Sequence, residues 1–255
     1  MQDIFSEKLA SWREYTESPW ARIRYAVVEE TTRREAQALG GRLQVLDVGG
    51  GDGMDALPLA VAGHDVTVLD QSEQWLDEAR RRANNVGVPL KGVQANLDDL
   101  HGLGEFDLLL CHFVLQYRPA GMADLRTLAG LLRPGGTISV ILPNPSGMVL
   151  RQLVVDGPAA ARAELVAESK RAVLFDHNVR KVPMEEMEAQ LSACGLPVVR
   201  RYGTRIANDL IADNSVKYNP QYFDDLLRLE LDLCDREPFV RMGGLYQLIG
   251  QKAAA

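Results

Sequence analysis

The feature that most constrains this chain is a turn. Val45-Leu46-Asp47-Val48 reads as an apolar strand that runs directly into Gly49-Gly50-Gly51-Asp52-Gly53 and then into a segment of helical period. Glycines at such a strand-to-helix turn permit positive φ and let the backbone approach a ligand closely. Their spacing separates the ligands the turn could take. A dinucleotide loop wants G-x-G-x-x-G, but after Gly49 and Gly51 the next glycine falls one residue early, at Gly53, and Met54 occupies the expected position. A phosphate loop wants G-x-x-x-x-G-K-[ST], and no Lys-Ser or Lys-Thr follows. The turn suits close approach to a ligand without a diphosphate.

Around this turn, short apolar or β-branched runs alternate with longer helical segments, which is the pattern of βαβ units and a mostly parallel sheet. Seven strands are predicted, at 43–48, 65–69, 90–94, 106–111, 137–142, 197–202 and 246–250. Helices are predicted at 22–39, 54–62, 72–84, 120–132, 183–193 and 220–235, the last capped by Asn219 with Pro220 at its first position. The 255 residues, 46% hydrophobic, suffice for one large α/β domain over 1–252, with 253–255 set aside as an alanine scar. Two stretches fall outside the alternation and are expected to cap the sheet. They are 1–21, with Trp12, Tyr15 and Trp20, and the insertion 143–182 after the fifth strand. Open α/β sheets bind ligands at the carboxyl ends of their strands, and long loops in compact domains serve as lids, so both stretches are candidate lid material.

Asp70 closes the second strand about 20 residues after the glycine turn, where a carboxylate can accept two hydrogen bonds from a ribose diol. A nucleoside therefore fits where a diphosphate does not. Asp47 could receive an ammonium, directly or through water, from an amino acid carried at the far end of the nucleoside. That combination points to S-adenosylmethionine.

On these residues the chain resembles the class I S-adenosylmethionine-dependent methyltransferases, from about residue 42 to 251. The resemblance implies a Rossmann-like α/β fold: a seven-stranded sheet with helices on both faces and added N-terminal and post-fifth-strand caps. It also implies that Asp47, Gly49, Gly50, Gly51 and Gly53 meet the amino-acid end of the cofactor, and that Asp70 and the adjacent Gln71 meet the ribose. Asn96, Leu97 and Asp98, or Asp99 in its place, would hold the adenine, and His112 would stand beside the sulfonium. The run Leu131 to Gly136 looks like the family's structural turn.

Further stretches resemble the tRNA carboxymethoxyuridine methyltransferases, which methyl-esterify a wobble-uridine carboxylate. These are Arg24 to Val27, Val48 to Gly53, Phe106 to Tyr117, Tyr202 to Leu210, Cys234 to Phe239 and Gly244 to Tyr246. By this resemblance Arg24 would clamp the cofactor's carboxylate and Arg205 would face the carboxylate of the acceptor. Arginine suits both tasks, because its planar fork pairs bidentately and stays charged. Trp20, Asn144 and Tyr246 are further candidates for contact with the acceptor.

Charge bears on the partner. With 28 Lys and Arg against 35 Asp and Glu, the net charge is −7. Between Arg151 and Arg205 nine basic residues face seven acids, without the dense cluster that binding of nucleic-acid phosphates favours. The insertion's one aromatic, Phe175, gives no stacking pattern. The preferred acceptor is therefore a small molecule offering an oxygen, by preference a carboxylate, with tRNA as the alternative and a catalytically silent nucleoside binder as the second. A carboxylate is ionised at neutral pH and needs no general base, whereas a hydroxyl acceptor could use His112. His64, His101 and His177 are expected in solvated loops or turns. No residue cluster has metal-ligand spacing, and Cys111, Cys194 and Cys234 show no pairing pattern. With no spanning apolar run or leader pattern, the expected location is cytoplasmic and the expected partners include no membrane.

Overall fold

The computed structural model describes residues 9–100, 102–118, 122–172 and 177–254. His101 and Phe175, residues 1–8 of the expected N-terminal cap and Ala255 lie outside the described residues. In chain order the elements are α1 (Leu9–Glu17), α2 (Pro19–Leu39), β1 (Gln44–Val48), α3 (Leu57–Val61), β2 (Asp65–Asp70), α4 (Glu73–Val86) and β3 (Lys91–Gln94). There follow β4 (Phe106–His112), α5 (Met122–Gly130), β5 (Leu132–Pro143), α6 (Pro145–Asp156), α7 (Pro158–Val166), β6 (Ser169–Ala172) and β7 (His177–Arg180). The chain ends with α8 (Met184–Ala193), β8 (Val198–Thr204), α9 (Pro220–Leu233) and β9 (Leu245–Gln251).

Seven strands form one sheet in the order β3-β2-β1-β4-β5-β9-β8. From β3 to β5 the pairing is parallel, and β9 runs antiparallel between β5 and β8. The sheet is thus Rossmann-like, with helices on both faces. Alternation along β1 explains the two layers: Val45 joins Val66, Val68, Leu108 and Leu110 under α2, α3 and α4, while Leu46 and Val48 join Leu109, Cys111, Val140 and Leu248 toward α5 and α8. The sheet order reverses between β1 and β4, so a crevice opens above their carboxyl ends, beside the glycine turn.

The boundaries differ from the sequence reading where local chemistry intervenes. The helix expected at 22–39 starts at Pro19, because Ser18 accepts from the Ala21 amide and the proline takes the first position. The helix expected at 54–62 shrinks to α3, since Gly53 at φ +71° leaves residues 54–56 in hydrogen-bonded turns. The fifth strand begins at Leu132, which pairs with Phe106 before a register shift, so the end of the expected helix is strand. The insertion is not a bare loop. Asn144 caps α6 with Pro145 behind it, Gly157 at φ +84° breaks the helix, Pro158 starts α7, and β6 and β7 form a two-stranded antiparallel ribbon.

Candidate active site

The glycine turn is shaped around Asp47. Gly49, Gly51 and Gly53 take φ of +63°, +54° and +71°. Gly50 must lack a side chain for another reason: a Cβ there would run into the Asp47 carboxylate. Asp47 is 2% exposed, and its Oδ2 has no hydrogen-bond partner. Burial, then the nearby Asp55 charge, pushes its carboxyl well above the usual range. Asp70 holds the turn from β2: Oδ2 accepts from the Gly51 amide at 3.0 Å and Oδ1 from the Ser72 amide at 2.9 Å. Gln71 is exposed beside it. At the end of β3, Asn96 and Asp98 are exposed and Leu97 is buried; Asn96 Oδ1 accepts from the Asp98 amide at 2.8 Å, and Arg118 pairs with Asp98 and Asp124.

Helix α1 lies over this turn. Trp12 Nε1 donates to Asp52 Oδ2 at 3.0 Å, its ring stands edge-on to Trp75 with centroids 5.7 Å apart, and Arg13 pairs with Glu78 at 2.7 Å. Glu78 is held down at about 2, chiefly by its hydrogen bond from Arg81 and then by the one from Arg13. Trp20 is half-buried in the first turn of α2.

One turn further along α2, Arg24 is buried and gives both terminal nitrogens to the two oxygens of Asp55. Its guanidinium also lies over the Tyr25 and Phe113 rings, at 4.4 and 5.1 Å from their centroids. Phe113, just past β4, has φ +62°, a strained conformation for an aromatic residue. Asp55 also receives His112 Nδ1 at 2.7 Å, and His112 Nε2 meets Ser139 Oγ at 2.8 Å. Burial opposes ionisation of Asp55, yet Arg24 and His112 outweigh it and hold the carboxyl well below its ordinary range. Burial lowers the His112 pKa, only partly offset by Asp55, so the imidazole is neutral.

Arg205 follows β8 at φ +59°, and Phe113 is the other non-glycine residue at positive φ among those described. Its Nε and Nη2 each donate to Asp209 at 2.9 Å, which leaves the two Nη1 hydrogens without a partner among the described residues. Asp209 is anchored by Asn208 Nδ2 at 2.8 Å, and Arg151 of α6 stands 3.9 Å away. The Tyr15 phenol of α1 lies within electrostatic reach of both Arg24 and Arg205.

Two sequence candidates have their side-chain polar groups engaged in holding the fold. Asn144 is 3% exposed and its hydrogen bonds are spent on the fold, donating to the carbonyls of Arg241 and Gly243 and capping α6. Tyr246 is fully buried in the main core, with its hydroxyl donated to the Val182 carbonyl at 3.0 Å, and fastens the end of the insertion. Sequence reasoning missed Asp55, Ser139, Gln247 and Asp209. The signal for two of them was present: Ser139 and Gln247 are single polar residues inside apolar runs of central strands, where every side chain is buried.

A cleft of about 700 Å³ opens at the opposite, amino edge of the sheet by Arg42, His64, Lys91 and Arg133. Its arginines are paired with Asp65 and Asp107, and it lies away from the glycine turn. Among the described residues, no group of three or more His, Cys, Asp or Glu comes together as a metal site, and no helix is long and apolar enough to cross a membrane.

Residues 45–136, from β1 into β5, match the model of a methyltransferase domain. With this sheet order and the glycine turn at its switch point, the chain is a class I S-adenosylmethionine-dependent methyltransferase. Among its relatives, it is 27% identical over 242 residues to the tRNA 5-carboxymethoxyuridine methyltransferase of Escherichia coli K12, covering 90% of this chain and 88% of that one. It is 34% identical over 106 residues to the ubiquinone biosynthesis O-methyltransferase of Vibrio parahaemolyticus, covering 41% and 45% of the two chains. Among solved structures, an S-adenosylmethionine-dependent methyltransferase of Thermotoga maritima superposes with a TM-score of 0.63 at 16% identity over 98% of each chain. Magnesium protoporphyrin IX methyltransferase of Synechocystis, solved with bound S-adenosylhomocysteine, gives 0.63 at 17% identity over 95% and 93% of the chains.

Proposed function

We propose that this enzyme methylates a carboxylate oxygen, forming a methyl ester. The observation that carries the reading is Arg205: it is strained, held by Asp209, and keeps its two Nη1 hydrogens without a partner among the described residues, within electrostatic reach of the same Tyr15 phenol as Arg24. A second guanidinium beside the cofactor clamp suits an anionic acceptor with planar, bidentate geometry.

The cofactor fits the residues on the other side. The unpartnered, buried Asp47 Oδ2 suits the ammonium of an amino acid, and Gly50 leaves the backbone open for close approach. Among the described residues Arg24 spends one hydrogen of each terminal nitrogen on Asp55, which leaves Nε–H and the other terminal hydrogens for a carboxylate, while Asp70, Gln71 and the Asn96–Leu97–Asp98 turn suit ribose and adenine. S-adenosylmethionine supplies an electrophilic methyl group on its sulfonium. The chain's own part is alignment: Arg205 orients the ionised acceptor, and α1 with the 143–182 insertion excludes water as caps on a single unit spanning 1–252. A carboxylate acceptor asks for no proton removal, so His112 acts through position and needs no general-base step.

Between acceptors, the similarity to the E. coli enzyme over 90% of the chain reaches the segment carrying Arg205 and supports carboxymethoxyuridine in tRNA. The net charge of −7 supports the second reading, a free small carboxylate. Methyl transfer to total tRNA that carries carboxymethoxyuridine without its methyl ester, run beside a panel of carboxylate metabolites, separates them. Transfer to tRNA that falls steeply with salt supports the first. Transfer to metabolites alone supports the second, and transfer to neither contradicts both.

A further inference from the structure

A continuous chain of buried polar groups crosses the sheet and begins and ends on one helix. Thr31 Oγ1 of α2 meets Gln247 Oε1 of β9 at 2.7 Å; Gln247 Nε2 meets Ser139 Oγ of β5 at 2.9 Å; and Ser139 Oγ meets His112 Nε2 at 2.8 Å. His112 Nδ1 meets Asp55, which holds Arg24, back on α2. Thr31 and Arg24 are about two helical turns apart and so share a face. Thr31, Ser139 and Gln247 are fully buried.

The protons order themselves in one direction. Ionised Asp55 can only accept, so Nδ1 of His112 carries the hydrogen; Nε2 of the neutral ring then accepts from the Ser139 hydroxyl. Ser139 in turn accepts from Gln247 Nε2–H, and Gln247 Oε1 accepts from Thr31. The opposite direction would need a buried imidazolium and a flipped Gln247 amide, which desolvation of the ring disfavours. The Thr31 hydroxyl also lies 3.0 Å from the Val28 carbonyl, with Gln247 Oε1 the nearer acceptor at 2.7 Å; from Gln247 onward the order of donors favours one orientation of the Asp55 carboxylate and, through it, of the guanidinium.

We propose that Thr31, Gln247 and Ser139 are positioning residues for Arg24, tuning affinity for the carboxylate of the cofactor's amino-acid end from the far side of the sheet. The proposal rests on the reading of Arg24 as that clamp. A network that is buried and fully satisfied can fix one geometry, and removing its middle member frees the rest to reorient.

The test is calorimetric binding of S-adenosylhomocysteine and of 5′-methylthioadenosine, which lacks the amino-acid end, to the wild type, Arg24→Gln, Ser139→Ala and Thr31→Val. Ser139→Ala is expected to weaken S-adenosylhomocysteine about tenfold, the scale of one hydrogen bond to a charged group, and to leave 5′-methylthioadenosine unchanged. Thr31→Val, nearly isosteric and remote, is expected to act in the same sense by about threefold, and it carries the test if Ser139→Ala does not fold. Equal weakening of both nucleosides, or of neither, while Arg24→Gln affects S-adenosylhomocysteine alone, would overturn the relay and leave the clamp standing. If Arg24→Gln spares S-adenosylhomocysteine, the clamp fails first and the relay with it.

Discussion

The two halves of the sheet meet the active site with different materials. On the β1–β3 side the surface is mostly backbone: a glycine turn, Asp47 buried beneath it, and Asp70 tied to two amides. On the β4–β5–β9–β8 side it is side chains held by other side chains, with Arg205 on Asp209 and His112 on Ser139, which Gln247 holds in turn. A backbone site tolerates little at its glycines but is local in sequence. A side-chain site is assembled from residues far apart in the chain, and each member can be exchanged at graded cost.

Several substitutions would break or sharpen this contrast. The largest effect is expected at Gly50→Ala, whose Cβ would displace the Asp47 carboxylate; cofactor affinity should fall by roughly a hundredfold or more in calorimetry, with the fold retained in circular dichroism. Asp70→Ala should weaken S-adenosylhomocysteine by about 1.5–3 kcal/mol, the range for hydrogen bonds to a charged group, and unchanged affinity would remove it from the site. On the other half, Arg205→Lys keeps the charge and loses the fork. It should raise the acceptor KM about tenfold in steady-state kinetics while cofactor affinity stays constant.

A pH experiment probes Asp47. Its folded pKa is raised by burial, so cofactor-free protein holds that proton well above the ordinary carboxylate range. Binding an ammonium there requires the anion, so binding should release a proton and affinity should rise as pH rises toward neutrality. Titration in buffers of differing ionisation enthalpy measures that proton, and Asp47→Asn should abolish the release. The smallest effect belongs to the cap. Trp12→Phe removes the hydrogen bond to Asp52 and should cost about 0.5–1.5 kcal/mol of stability in denaturant unfolding.

The same contrast explains what could be read from the chain alone. The seven strands and the glycine turn follow from periodicity and spacing within short windows, and the family match over residues 45–136 contains that turn and runs from β1 into β5. The two helices inside the insertion start at local signals, Asn144-Pro145 and Gly157-Pro158, each a cap followed by proline at the first helical position. Asp55 was not legible, because its partner Arg24 lies 31 residues away and its second partner His112 lies 57 away. Asn144 and Tyr246 illustrate the converse: residue type and strand position alone do not tell a ligand contact from a buried tie between core and insertion.

The most direct test of the central claim is the chemical stability of the methyl group transferred. With methyl-labelled S-adenosylmethionine and the acceptor identified from the tRNA and carboxylate panel, product is treated with mild alkali and volatile methanol is collected. A methyl ester releases its label as methanol, and Arg205→Lys slows its formation. Label that stays on the acceptor through alkali would mean transfer to a nitrogen, a carbon or an ether oxygen, and would contradict the carboxylate assignment.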